Sequence, residues 1–261
     1  MLNEAKTLKG YKLNGLNGEI GKIKEFYFDD HYWTIRYLVA DTGNWLRDRQ
    51  VLISPHALGA INKTEKNIGV NLTKKQIEDS PSISSDKPVS RQFEESYYGY
   101  YSWPMYWAGP YMWGDYPYPY IGDNPGALPE TTLDKKGWDP HLRSTLAVTN
   151  YAIQAKDGEI GHITDFIIDD ATWAIRYLMV DTGNWWPGKI VLVSPRWIKR
   201  ISWSESNVYV DLSRTTIKQS PAYQGGAPLN REYEDELHKH YNFQGYWVDE
   251  PVINKDSHLG K

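Results

Sequence analysis

The sequence contains no cysteine among its 261 residues. Disulfide bonds, thiolate metal sites and cysteine nucleophiles are therefore excluded. It also lacks an uncharged apolar run of the roughly 20 residues that a membrane-spanning helix needs. The first ten residues contain no apolar stretch of signal-peptide length. We therefore expect a protein without a membrane span and with a cytoplasmic location.

An excess of positive charge is also absent. The chain has 29 Lys and Arg residues against 33 Asp and Glu residues, which gives a formal net charge of −4. Nucleic acids are bound largely through clustered positive charge, because their phosphate backbone is uniformly negative. The charge balance therefore argues against a nucleic acid partner.

Motifs that carry catalysis or metal binding are missing as well. No glycine-rich phosphate loop follows a strand pattern, and no serine nucleophile motif occurs. The 7 histidines are scattered, and His238 and His240 stand two residues apart, which directs them to different faces of a helix. We expect no enzymatic activity, no metal site and no cofactor.

The dominant positive feature is an internal repeat. Residues 33–45 return as residues 173–185, at an offset of 173 − 33 = 140. The same offset aligns residues 11–81 with residues 151–221 without a gap, and roughly 31 of these 71 positions are identical. The chain is therefore predicted to contain one domain in two copies.

Local patterns within the first repeat predict β-structure. The predicted strands are residues 8–13, 21–30, 33–40, 51–53, 58–61 and 68–72. The third strand is apolar on both faces except for Thr34 and Arg36, so we expect both faces to be covered and expect this strand to contact the other repeat. Thr73 is predicted to cap one helical turn that ends before Pro81. Six short strands with little helix predict a small, nearly closed barrel, because closure removes exposed strand edges.

Several motifs of this repeat resemble those of a known family. They are residues 18–21, 29–30, 33, 35–39, 41–43 and 51–55, with their counterparts in the second repeat. This pattern resembles the PRC-barrel domain, named for the photosynthetic reaction centre, whose H subunit carries such a barrel. A related barrel occurs in the bacterial 16S rRNA-processing protein that binds a small-subunit ribosomal protein. The resemblance implies the barrel fold and roles in docking and assembly.

The predicted fold class is all-β, with two tandem small PRC-like β-barrels, short helices and an aromatic-rich linker. The predicted divisions are residues 1–90 for the first barrel, 91–141 for a short helix and a Tyr/Trp/Pro-rich insertion, 142–223 for the second barrel, and 224–261 for a helix and tail. The short helices are expected to follow Arg91 and Arg231, which are related by the same offset of 140.

The resemblance implies a non-catalytic protein–protein interaction or assembly module, and the family's namesake suggests photosynthetic or electron-transfer complexes as its setting. A homo-oligomer is compatible with this role. Two alternatives stay open, an adaptor in RNA or ribosome processing and a small-ligand binder.

The small-ligand alternative depends on the repeated Asp-Thr-Gly-Asn-Trp turn. It places a carboxylate, an amide and an indole together at a strand end. The candidate binding residues are Asp41, Asn44, Trp45, Asp181, Asn184 and Trp185. The same residue types also stabilise turns and close barrel ends, so a purely structural role is the competing interpretation.

The aromatic insertion at residues 97–120 supplies the other candidates, Tyr101, Trp103, Trp107 and Trp113. Tyrosine and tryptophan concentrate at protein interfaces, which suggests a docking surface. The same rings could instead pack along the junction between the barrels. The segment contains no Lys or Arg, which argues against stacking on nucleic acid bases. Arg36 and Arg176 lie among apolar neighbours and are expected to pair with a nearby acid, with Asp29, Asp41 and their repeats as the candidates.

Overall fold

The computed structural model describes residues 1–46, 49–83, 89–120, 142–183, 189–226 and 229–250. We call residues 1–120 the first unit and residues 142–250 the second unit. The strands of the first unit are β1 (Leu2–Glu4), β2 (Lys12–Gly15), β3 (Gly18–Asp29), β4 (Thr34–Asp41), β5 (Val51–Ile53), β6 (Leu58–Asn62) and β7 (Asn67–Val70). Those of the second unit are β8 (Leu142–Ser144), β9 (Ala152–Ala155), β10 (Gly158–Asp169), β11 (Ile175–Asp181), β12 (Ile190–Val193), β13 (Ile198–Ser202) and β14 (Asn207–Val210).

The helices are short and mostly lie at the ends of the repeats. They are α1 (Ala5–Leu8), α2 (Lys74–Asp79), α3 (Arg91–Tyr101), α4 (Thr145–Val148), α5 (Arg214–Gln219), α6 (Arg231–Tyr241) and α7 (Tyr246–Asp249). Two sheets with few short helices confirm the predicted all-β class. The helices predicted after Arg91 and Arg231 are also confirmed, as α3 and α6.

The two sheets have the same strand order. It is β5-β4-β3-β2-β7-β6 in one and β12-β11-β10-β9-β14-β13 in the other. Five strand spacings of about 4.8 Å would place β5 and β6 about 24 Å apart in a flat sheet. The chain passes from Ile53 at the end of β5 to Leu58 at the start of β6 in five residues, which span at most about 18 Å. The sheet must therefore curl into a nearly closed barrel.

The first strand of each repeat is exchanged between the sheets. β1 pairs with β10 through Leu2↔Asp169, while β8 pairs with β3 through Leu142↔Asp29. Both partners in the second pairing are related to those in the first by 140 positions. Each of these contacts from the first unit to the second therefore has a counterpart from the second to the first, as at a two-fold interface. The exchange is an approximate two-fold symmetry within one chain.

The strands predicted third in each repeat, which are β4 and β11, begin at the same junction. The backbone N–H of Ile35 donates to the carbonyl of Trp173 at 2.8 Å, and the N–H of Ile175 donates to the carbonyl of Trp33 at 2.7 Å. β4 is buried along its whole length except at Asp41, which confirms that both faces of this strand are covered. The predicted contact between the repeats through the third strands is confirmed at their first residues.

The N-terminal region differs from its sequence-based prediction. A strand was predicted at residues 8–13, whereas α1 occupies Ala5–Leu8 and β2 begins at Lys12. A turn separates them, in which the N–H of Tyr11 donates to the carbonyl of Leu8. The predicted strand was wrong because alternation in so short a run does not reveal a turn. β1 was not predicted at all, because its partner is a strand in the other repeat.

The helical turn predicted after Thr73 is confirmed as α2. The N–H of Gln76 donates to the hydroxyl of Thr73 at 3.2 Å, and the N–H of Thr73 donates to the side-chain oxygen of Gln76 at 2.8 Å. This reciprocal capping satisfies two backbone groups that a helix start leaves without partners. The helix ends before Ser80, as predicted.

Candidate functional site

A buried arginine occupies the same position in each unit. The Nε–H of Arg36 donates to Asp29 Oδ2 at 2.7 Å, and an Nη2–H of Arg176 donates to Asp169 Oδ2 at 2.9 Å. Arg36 is 0% exposed. A buried charge destabilises the fold unless it is paired. The predicted pairing of both arginines is therefore confirmed, with Asp29 rather than Asp41 as the partner in the first unit.

An aromatic ring covers each of these arginines. The Cζ atom of Arg36 lies 3.7 Å from the ring centre of Tyr106, and that of Arg176 lies 4.0 Å from the ring centre of Tyr246. Tyr106 and Tyr246 are related by the offset of 140. The next residues repeat the pattern on helix arginines, with Arg91 at 4.2 Å from Trp107 and Arg231 at 3.9 Å from Trp247. The repeat thus extends beyond the barrels into the aromatic segments.

A buried glutamate completes the constellation of the first unit. The hydroxyls of Tyr37 and Tyr106 donate to Glu94 Oε1 at 3.2 Å and 2.9 Å, and Arg91 lies 3.0 Å from its other oxygen. Burial raises the pKa of Glu94 to about 7, because removal from water disfavours the ionised form more than these contacts favour it. Glu234 is held in the same way in the second unit, and burial raises its pKa too.

Replacing Glu94 by glutamine should remove one pH-dependent contribution to stability. Because the pKa of folded Glu94 is raised, its contribution is present below the pKa of the unfolded chain and is lost as pH rises through about 7. Relative to Glu94→Gln, the wild-type free energy of unfolding should fall by about 3 kcal/mol between pH 4.5 and pH 7.5. Urea unfolding across this range measures the difference, in which all other titrating groups cancel. Parallel curves for the two proteins would contradict it.

The aromatic segment fills a space beside Arg36. The side chain of Trp113 is 0% exposed, and its Nε1–H donates to the carbonyl of Thr172 in the second unit at 2.8 Å. The same indole lies 4.6 Å from the Cζ of Arg36 and 5.0 Å from the ring of His56. The segment thus packs along the first unit and reaches the second, which agrees with the interpretation that its rings pack along the junction between the barrels.

The other aromatic candidates are partly buried around this centre. The rings of Tyr101 and Trp103 stack at 4.4 Å, and Trp103 also stacks on His56 at 5.6 Å. Trp107 packs on Arg91. Tyr111 is more open, at 46% exposure. Three of the four candidates thus retain some exposed surface while Trp113 has none, and docking through them stays a prediction.

A cleft of ≈ 600 Å³ opens in the second unit at the junction with the first. Its walls come from the β3–β4 turn of the first unit and from the start of β11, the 3₁₀ turn Pro195–Trp197 and β13 of the second. The charged and aromatic lining residues are Asp30, His31, Tyr32, Trp33, Arg176, Arg196, Arg200, Trp203, Tyr246 and Glu250.

This cleft corresponds to the space that Trp113 fills in the first unit. Subtracting 140 converts the lining residues Arg176 and Arg196 into Arg36 and His56, which are the residues that Trp113 contacts. Adding 140 to Tyr32 gives Thr172, whose carbonyl accepts the hydrogen bond from Trp113. Trp113 therefore occupies this site in the first unit, and no described residue fills the cleft in the second. Residues 251–260, the counterparts of residues 111–120, lie outside the described residues.

The family comparison matches the unit that contains the open cleft. Residues 151–216 match the PRC-barrel domain. The match runs from the turn before β9 into α5 and includes most of the cleft wall. It does not extend to the first unit, although the two sheets have the same strand order. No curated protein sequence matches the chain.

The Asp-Thr-Gly-Asn-Trp turn of the first unit lies away from the cleft. In the first unit the turn follows Asp41, at the opposite end of β4 from the junction, and the N–H of Gly43 donates to Asp41 Oδ1 at 3.0 Å. Asn44 is exposed and Trp45 is partly buried, with Lys74 Nζ 5.0 Å from the Trp45 ring centre. In the second unit Asp181 ends β11, while Asn184 and Trp185 lie outside the described residues. A role of these turns in binding stays a prediction.

Sequence reasoning missed the residues that distinguish the PRC-barrel domain's cleft. Arg196, Arg200 and Trp203 stand where the first repeat has His56, Ala60 and Lys63. These positions can be found from the sequence as differences between the two repeats, but a comparison of identical positions does not reveal them.

No group of three or more histidine, aspartate or glutamate side chains in the described part of the chain is placed to hold a metal ion. Among the described helices, none has both the length and the apolar character required to cross a membrane.

Proposed function

We propose that the chain is a non-catalytic protein-binding or assembly module made of two PRC-barrel-like units. The open cleft of the second unit is its docking site. The observation that carries the proposal is the difference between equivalent sites, one occupied by Trp113 and one that no residue in the described part of the chain fills. The match of residues 151–216 to the PRC-barrel domain supports a module of this kind.

The use of charged groups in the structure also supports binding rather than catalysis. Arg36 and Asp29 form a closed pair at 0% and 3% side-chain exposure. Glu94 is 3% exposed and Glu234 is 2% exposed, and each is held by two tyrosine hydroxyls. Groups with perturbed pKa values serve catalysis when they face a cleft that substrate can enter. Glu94, whose pKa is raised, instead lies buried inside the first unit.

A photo-cross-linking residue in the cleft tests this proposal. p-Benzoylphenylalanine in place of Trp203, a partly buried aromatic residue of the cleft wall, should give a discrete cross-linked protein in the native host. The matched control is the same residue in place of Lys63, the exposed counterpart in the first unit, which should give none. Identification of the adduct by mass spectrometry also tests whether the partner belongs to a photosynthetic or electron-transfer complex. Equal labelling from both positions, or none from position 203, would overturn the docking site.

A further inference from the structure

The first unit displays the kind of ligand that this site accommodates. Three contacts define it: a guanidinium against the indole face, a side chain at position 56 against the ring, and a backbone carbonyl that accepts the indole N–H from 2.8 Å. Burying a ring against a cation and satisfying its N–H gives both affinity and orientation. The segment that delivers the ring folds into tight turns, in which the N–H of Tyr111 donates to the carbonyl of Gly114 at 2.9 Å and the N–H of Trp113 donates to the carbonyl of Tyr116 at 3.0 Å.

The equivalent groups are present in the second unit. Arg176 replaces Arg36 and already carries Tyr246 at 4.0 Å, Arg196 replaces His56, and Tyr32 supplies the equivalent backbone position to Thr172. The volume of ≈ 600 Å³ lies within the range of about 300–1,000 Å³ that is usual for ligand sites. Space and chemistry for an aromatic side chain are therefore both retained.

The charges of the cleft favour a ring over a simple anion. Arg176 is already neutralised by Asp169 at 2.9 Å and by Glu250 at 2.7 Å, and Arg196 lies 3.2 Å from Asp249. An anion would have to compete with these carboxylates. An aromatic ring gains from the arginine faces without displacing them.

We propose that the second-unit cleft binds a turn-forming peptide segment of a partner protein that inserts a tryptophan-like side chain, as residues 109–120 do in the first unit. This inference rests on the proposed docking function and specifies its chemistry. The inserted ring lies against Arg176 and Arg196, and its N–H is directed to the carbonyl of Tyr32.

A synthetic peptide with the sequence of residues 109–120 is the probe. Its binding to the full-length protein is measured by fluorescence anisotropy of a terminal label. Replacing the tryptophan of the peptide, Trp113→Ala, should weaken binding at least about 10-fold, since the loss of one buried aromatic contact is commonly worth that factor. In the protein, Arg196→Ala should weaken binding about 5-fold. Lys199→Ala, an exposed neighbour outside the cleft, should leave it within about twofold.

Cross-linking establishes which unit holds the peptide. Because the chain lacks cysteine, Arg200→Cys and Ala60→Cys are unique thiols at equivalent exposed positions of the two units. A cysteine appended to the peptide and activated as its 2-pyridyl disulfide should exchange with the former thiol, releasing pyridine-2-thione, at least about 10-fold faster than with the latter, because bound sulfur atoms have a high effective concentration. Equal rates, or faster reaction at position 60, would overturn the proposal.

The outcomes separate this inference from the proposed function. If the peptide does not bind, or if the Trp113→Ala peptide binds as tightly as the original peptide, the cleft does not bind an aromatic side chain. If position 203 still yields a cross-linked partner in that case, the cleft is a docking site for different chemistry. If the peptide binds and position 203 yields no partner, the aromatic pocket is real and the assembly role is wrong.

Discussion

The Asp29→Asn variant should lose about 3–5 kcal/mol of unfolding free energy. Arg36 and Asp29 are both buried, and Asp29 is the one carboxylate paired with Arg36 within the described residues. Asparagine keeps the size and one acceptor of the side chain but removes the charge, which leaves a guanidinium buried without a counter-ion. Urea unfolding monitored by tryptophan fluorescence measures the loss.

The second unit provides the control for this variant. Asp169→Asn makes the same change beside Arg176, but Glu250 still contacts that arginine at 2.7 Å. The loss should therefore be only about 1–2 kcal/mol. A loss of only about 1–2 kcal/mol from Asp29→Asn as well would mean that Asp29 is not the main group that stabilises the charge of Arg36.

The Trp113→Ala variant should lose about 3–5 kcal/mol of unfolding free energy. Its indole is 0% exposed and joins the two units through the hydrogen bond to the Thr172 carbonyl. Alanine leaves a cavity beside Arg36 and an acceptor without its donor. The urea midpoint should fall accordingly.

Tyr111→Ala is the comparison within the same segment. Tyr111 is 46% exposed, so its replacement should change the unfolding free energy by less than about 1 kcal/mol. A loss as small as this for Trp113→Ala would show that Trp113 adds little to the stability of the fold. Its contacts in the first unit would then no longer support an aromatic ligand for the second-unit cleft.

The parts of the fold that depend on local sequence could be predicted. The strand around Arg36 follows from residues that favour β-structure on both sides of it, and the turn after Asp41 follows from aspartate and glycine. The pairing of Arg36 with an aspartate also follows, because a buried charge needs an opposite charge nearby, but only the structure selects Asp29 over Asp41. Thr73 and Gln76 stand three residues apart, which is the spacing of a capping box.

The parts that depend on long-range pairing could not be predicted in this way. β1 has three residues, and its structure is determined by Ile167, Ile168 and Asp169, more than 160 positions away. The repeat predicts two similar domains, but repetition is equally consistent with separate and with exchanged first strands. The cleft has the same origin, since its walls come from both units. The candidate residues of the repeated turn are common to both repeats. The cleft is instead lined by Arg196 and Arg200, at positions where the repeats differ.

The exchange of β1 and β8 carries an evolutionary consequence. A one-copy ancestor would make the same contacts by associating with an identical chain, as a symmetric dimer whose formation depends on concentration. In a chain that carries both copies, this association is intramolecular and independent of concentration. The two copies can also differ, as they do here, where Trp113 fills one cavity and no described residue fills the other. A dimer of identical subunits has two identical cavities. A chain with two different halves can fill one cavity with its own side chain and keep the other for a partner.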